Sequence, residues 1–253
     1  MHANARPRLR GSLVALIAGL TIGLCLAACA GNENRVDLSD SRAVSFDASD
    51  GVHLEGRLFG EGTRGVVLAH MQPADQRSWF DVADRLARGG YLVLTFDFRG
   101  YCPGGDGGCS QGERDIANTW SDVLGAITYL RSEQGAGTIG LVGASMGGTA
   151  SLVAAAQPGA DVRAVITLSA PQDIEGLSVD ATLLSQIVAG KLFIAGVGDA
   201  TAATSAEALY EQAPPPKRVE IVPADDHGTD LLTGSQGEVV RRLIETYLET
   251  NGV

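Results

Sequence analysis

Thr138-Ile139-Gly140-Leu141-Val142-Gly143-Ala144-Ser145-Met146-Gly147-Gly148-Thr149-Ala150 decides the reading of this chain. Its first half is a short apolar run of strand length, and its second half is a run of small residues suited to a slim helix. Between them Gly143-Ala144-Ser145-Met146-Gly147 matches G-x-S-x-G, the pattern of a tight strand-to-helix turn that holds a serine hydroxyl clear of a sheet. The glycines two before and two after Ser145 let strand and helix approach where a Cβ would collide. The five-residue pattern says little alone; the strand before it and the helix after it make it informative.

Outward from that turn, apolar runs alternate with helix-length segments. The runs at 65–70, 91–96, 138–143, 162–169, 191–197 and 218–222 are continuous rather than alternating, as expected of parallel strands covered on both faces. Helical patterns fill the intervals at 75–88, 114–131, 145–157, 179–189 and 204–212, and a last one follows at 238–249. Runs at 42–46 and 52–59 flank Asp50-Gly51 and read as an opening antiparallel pair. The pattern is that of one α/β domain with a mostly parallel sheet of about eight strands. Gly135-Ala136-Gly137-Thr138-Ile139-Gly140 matches a dinucleotide fingerprint by letter, but it precedes its strand, where that chemistry needs it to follow one.

A serine hydroxyl becomes a nucleophile only when a base removes its proton, and in this strand-turn-helix setting the chain order is Ser, acid, His. Of His2, His53, His70 and His227, only His227 follows Ser145, in Asp225-Asp226-His227-Gly228 just beyond the run at 218–222. The acid must orient the imidazole, and Asp199 at the end of the run at 191–197 is the first candidate, with Asp173 as its rival. Asp225 and Asp226 stand too near His227 in sequence to reach under its ring. Two backbone N–H groups must meet the oxyanion: Met146 supplies one, and Gln72 is the choice for the other, with Met71 second.

These residues together resemble the α/β-hydrolase superfamily, in particular its small serine-dependent dienelactone-hydrolase-like and esterase members. His70-Met71-Gln72-Pro73 resembles the H-G-x-P oxyanion loop, with Met71 where that loop usually has Gly, and Asp97-Phe98-Arg99-Gly100 resembles the D-x-R-G turn. The resemblance covers nearly the whole domain and implies the α/β-hydrolase fold. It implies a serine hydrolase acting on esters through Ser145, Asp199 and His227, with no cofactor or metal. Dienelactone hydrolases proper use a Cys nucleophile, so Ser145 argues against that substrate. Only about ten residues separate the run ending at 169 from the helix expected at 179, which leaves no room for a large cap domain. An open site favours small or short-acyl esters. A peptidase with the same triad, or a noncatalytic ligand-binding envelope lipoprotein, is the alternative. Arg99 is expected to tie down its own turn, Trp79 and Trp120 to pack, and His70 to hold backbone beneath the oxyanion loop.

The ends of the chain speak to location. Arg6, Arg8 and Arg10 precede an uncharged apolar run from Leu13 to Ala28, the layout of a secretory signal, and Leu26-Ala27-Ala28-Cys29 resembles the bacterial lipoprotein site. We therefore expect residues 1–28 to be a signal peptide, Cys29 to carry lipid, 29–41 to be a flexible tether and 42–253 to be the hydrolase domain, exported and anchored to the cell envelope. Cys25 would leave with the signal, so Cys102 and Cys109 remain as a pair expected to form a disulfide in an oxidising compartment. With 19 Lys and Arg against 30 Asp and Glu, a net charge of -11, nucleic acid is not an expected partner. The expected partners are a small-molecule ester or acyl substrate and, through Cys29, the membrane.

Overall fold

The computed structural model describes residues 36–253. The signal peptide, Cys25, the lipidation site Cys29 and most of the expected tether lie outside the described residues. Ten strands occur in chain order: β1 Ser41–Asp47, β2 His53–Phe59, β3 Arg64–Ala69, β4 Leu92–Phe96, β5 Thr138–Ala144, β6 Ala164–Leu168, β7 Asp173–Ile174, β8 Leu177–Ser178, β9 Gly190–Gly196 and β10 Lys217–Val222. The helices are α1 Phe80–Arg88, α2 Thr119–Ser132, α3 Met146–Ala155, α4 Ala181–Leu184, α5 Ala200–Gln212 and α6 Gly237–Thr250.

Eight strands form one sheet in the order β1-β2-β4-β3-β5-β6-β9-β10. Its first two pairings are antiparallel and the other five parallel. The continuous apolar runs are explained by two cores, one on each face. Along β5, Ile139 and Leu141 enter one core with α2, α3 and α5, while Val142 and Ala144 enter the other with α1 and α6. Likewise Phe193 and Ala195 of β9 face the first core, and Leu192 and Ile194 the second. A residue's neighbour thus feeds the opposite layer, so both must be apolar.

The C-terminal ends of β3, β5, β6, β9 and β10 open at one edge of the sheet, and the loops that leave them carry Gln72, Ser145, Asp173, Asp199 and His227. Between β6 and β9 stand only the small β7–β8 hairpin and the one-turn α4, so no large cap covers this edge.

Several helix bounds differ from those read in the sequence. The helix expected at 179–189 is the single turn α4, capped by the Asp180 side chain on Leu183 N–H. Buried Lys191 then takes the Ile187 and Ala189 carbonyls with its Nζ at 2.9 and 2.8 Å, which satisfies backbone that a longer helix would have used. The helix expected from 114 begins at Thr119, because Arg114 is drawn to Gln72 and Tyr101. The one expected from 204 begins at Ala200, because Asp199 caps it. Val36 and Leu38, read as tether, pack against the second core, and β1 starts at Ser41.

Candidate active site

Ser145 sits between β5 and α3 at φ 47° and ψ -117°, a conformation an L residue adopts only when its surroundings enforce it. Its N–H donates to the Leu168 carbonyl of β6 at 2.8 Å. A Cβ at Gly143 would overlap the Gly147 carbonyl, and one at Gly147 would overlap the Ala69 carbonyl of β3, so both glycines are required by close backbone approach.

The loop after β10 brings His227 to the same edge. Its Nδ1 lies 2.5 Å from Asp199 Oδ2, while Asp199 Oδ1 accepts from Ala202 N–H at 3.3 Å and so caps α5. With both carboxylate oxygens engaged, Asp199 has a fixed direction. Because a carboxylate accepts, Nδ1 carries the ring proton and Nε2 keeps its lone pair. The His227 side chain is 44% exposed and Asp199 17%, so the free nitrogen has access to a substrate. Gly228 N–H donates to Ser169 Oγ at 3.1 Å, which pins the loop.

Ser145, His227, Asp199 and Asp173 all line one cleft of about 310 Å³, walled by Pro171, Ile174 and Ala202. It is Asp199, not its rival Asp173, that meets the imidazole. Ser145 Oγ and the His227 ring line the same cleft without a hydrogen bond between them.

His70 is fully buried under the loop that follows β3. Its Nδ1 donates to the Met71 carbonyl at 2.9 Å and its Nε2 accepts from Phe98 N–H at 3.1 Å, which fixes the neutral form and one tautomer. Burial holds its pKa down to about 4. Asp97 stands 4.0 Å away, accepting from Gln76 N–H at 3.0 Å and Gln76 Nε2 at 2.8 Å, and burial pushes it up to about 7. Since the Met71 carbonyl turns inward to His70, the N–H of Gln72 in the same trans peptide points the other way. Met71 keeps a negative φ, so the absence of glycine there costs no strain. Met146 begins α3, where its N–H has no helical partner.

The sequence did not flag how Gln72's side chain is used. Its Oε1 accepts from Arg114 at 2.6 Å and its Nε2 lies 3.6 Å from Met146 Sδ, which clamps the oxyanion-loop candidate to the start of α3. Ser169, at φ 55°, was also missed; only its place at a strand end beside Pro171 could have marked it. Arg99 is buried on Asp122 and Asp50, and Trp79 is fully buried, so neither faces the cleft. Cys102 and Cys109 are joined by a disulfide. Among the described residues no group of three or more His, Cys, Asp or Glu could hold a metal, and no helix is long and apolar enough to cross a membrane.

Comparison with known proteins agrees with this architecture. A family model described as alpha/beta hydrolase fold matches residues 66–197. No curated protein matches the chain. Among solved structures, a dienelactone hydrolase from Anabaena variabilis superposes with a TM-score of 0.67 at 22% identity, over 83% of this chain and 98% of that one. An esterase from Pyrococcus furiosus gives 0.67 at 17% identity, over 83% and 90%. An esterase from Exiguobacterium antarcticum gives 0.63 at 17% identity, over 82% and 100%. At these identities the likeness is one of fold.

Proposed function

The chain belongs to the alpha/beta hydrolase fold family, and from that premise we propose that it is a serine hydrolase of carboxylic esters working through an acyl-enzyme on Ser145. The observation that carries the proposal is the His227–Asp199 hydrogen bond in the cleft that holds the strained Ser145. Likeness in fold to two esterases and a dienelactone hydrolase supports the reaction class, and the capless cleft supports small esters.

In this mechanism His227 Nε2 takes the Ser145 proton as Oγ bonds to the ester carbonyl carbon, and the carbonyl oxygen becomes an oxyanion. The N–H groups of Gln72 and Met146 receive it. The proton on Nε2 passes to the departing alkoxide as the C–O bond breaks, which leaves acyl-Ser145 and a free alcohol. Water then loses a proton to Nε2 as its oxygen bonds to the acyl carbon, and the C–Oγ bond breaks as Nε2 returns that proton to Oγ, which releases the carboxylic acid and restores Ser145. Asp199 stays ionised throughout and stabilises the imidazolium. His70 takes no part in proton transfer; it holds the Met71 carbonyl inward and thereby the Gln72 N–H outward.

The same proposal places the protein at the cell envelope, tethered through lipid on Cys29 and exported by residues 1–28. The Cys102–Cys109 disulfide supports an oxidising compartment. Acid quenching during turnover of a short-chain aryl ester tests the chemistry: intact mass should show one acyl group on Ser145, and none in Ser145→Ala. Turnover that persists in Ser145→Ala would contradict it. Metabolic labelling with a fatty-acid probe, lost in Cys29→Ser, tests the anchor.

A further inference from the structure

The polar groups that line the cleft are nearly all committed. Asp199 serves His227 and the start of α5, Ser169 Oγ accepts from Gly228 N–H, and Ser205 Oγ donates to the Ala170 carbonyl. Thr201 stands exposed at the rim. One charged group in the lining is left over. Asp173, on the β7–β8 hairpin, is exposed to the cleft, and no described residue gives its carboxylate a hydrogen bond or a cation.

Its surroundings define what it would accept. Pro171, Ile174 and Ala202 give the cleft that holds Asp173 and the nucleophile an apolar wall. A cleft that combines an apolar wall with an unpaired carboxylate fits an alkyl stem with a positive head. It disfavours an anionic arm, because two negative charges would face each other in one cleft. The chain's net charge of -11 adds a long-range field that attracts cations. Arg114 is held by Gln72 and Tyr101, and no Lys or Arg lines this cleft among the described residues.

We infer that Asp173 is a specificity-determining residue that selects esters whose arm in this cleft ends in an alkylammonium or other cationic group. The inference rests on the hydrolase reading above and names its substrate class. Asp173 takes no proton in the reaction; it acts on the ground state and transition state of substrates whose charge reaches it.

Three p-nitrophenyl esters of similar length test it: one ending in trimethylammonium, its neutral tert-butyl isostere, and one ending in carboxylate. Each rate is normalised to that ester's own hydroxide-catalysed rate. The expected order of kcat/KM is cationic, neutral, anionic, with about tenfold between the first two at low ionic strength, compressed by added salt. Asp173→Asn should bring the cationic-to-neutral ratio to within about twofold, whereas Glu133→Gln, a remote surface acid, should keep the native ratio. A native ratio near one, or a ratio unchanged by Asp173→Asn, would overturn the inference. A readout that needs no catalysis separates it from the hydrolase reading: titration with butyltrimethylammonium, followed by NMR at Ile174 and Thr201. Shifts that are lost in Asp173→Asn support the cation slot even if Ser145 proves inert, and shifts that are absent or unaltered refute it even if Ser145 is active.

Discussion

His70 follows β3 and His227 follows β10 at the same edge of the sheet, each beside an aspartate, and they are chemically unalike. His70 has no exposure and both ring nitrogens are spent on backbone, one giving to Met71 and one taking from Phe98. Its neighbour Asp97 lies 4.0 Å from Nε2, whose lone pair is taken by Phe98 N–H, so with the ring neutral the two do not form an ion pair. His227 is nearly half exposed, bound by Asp199 on one nitrogen and open on the other. A histidine-aspartate neighbourhood is therefore not a base by itself; one nitrogen must be oriented while the other remains free at a surface that a substrate can reach.

The largest expected effect lies on the exposed side. His227→Ala should lower kcat/KM about 10⁴-fold or more, with Tm nearly unchanged, because the side chain packs little. Asp199→Asn should cost about 10³- to 10⁴-fold in kcat, since the amide can present its N–H to the ring and favour the wrong tautomer. Steady-state kinetics beside thermal melts would check both, and a large fall in Tm without loss of rate would undo the contrast.

On the buried side the effect should fall on stability. His70→Ala orphans the Phe98 N–H and the Met71 carbonyl, so denaturant unfolding should show a loss of about 2–4 kcal/mol. Replacing both Cys102 and Cys109 by Ser should cost about 2 kcal/mol, because the disulfide closes a short loop. That loop lends the Gly107 carbonyl to Gln76, which also serves Asp97. The cost should appear in unfolding rather than in the chemical step.

The last effect is a pH slope. His70 is held near 4 against 6.5 in the unfolded chain, so between these values the unfolded state binds more protons and this group makes stability rise with pH. Asp97 is raised to about 7 from 3.8, so the folded state holds the extra proton there and this group makes stability fall as pH rises. The two oppose one another from about 4 to 6.5. His70→Gln should therefore expose a falling slope of at most about 1.4 kcal/mol per pH unit, and Asp97→Asn a rising one. Unfolding free energies measured at pH 4.5, 5.5 and 6.5 would show whether the signs separate.

How far the sequence could be read follows from the same physics. Strands buried on both faces are apolar at nearly every position, so β3, β4, β5, β6 and β9 stood out, while β10, at the sheet edge, keeps Lys217, Arg218 and Glu220. The serine turn was legible because Gly143 and Gly147 leave no room for another residue, and His227 because it is the one histidine after Ser145. What stayed hidden depends on long-range partners. Nothing local says that Arg114 will be pulled from a helix onto Gln72. The β7–β8 hairpin has two-residue strands, too short for any period, and only the turn at Glu175-Gly176, with both φ values positive, marks it. Asp199 and Asp173 were both in reach of His227 by sequence; the capping of α5 aims the first at the ring, and the hairpin leaves the second along the wall.

The measurement that tests the central claim most directly is the rate of fluorophosphonate labelling of the folded domain, compared with Ser145→Ala, His227→Ala and His70→Gln. The account predicts rapid labelling of the parent at Ser145, none in Ser145→Ala, a rate lowered by several orders of magnitude in His227→Ala, and substantial labelling retained in His70→Gln. Labelling that survives in His227→Ala but is lost in a folded His70→Gln would contradict it.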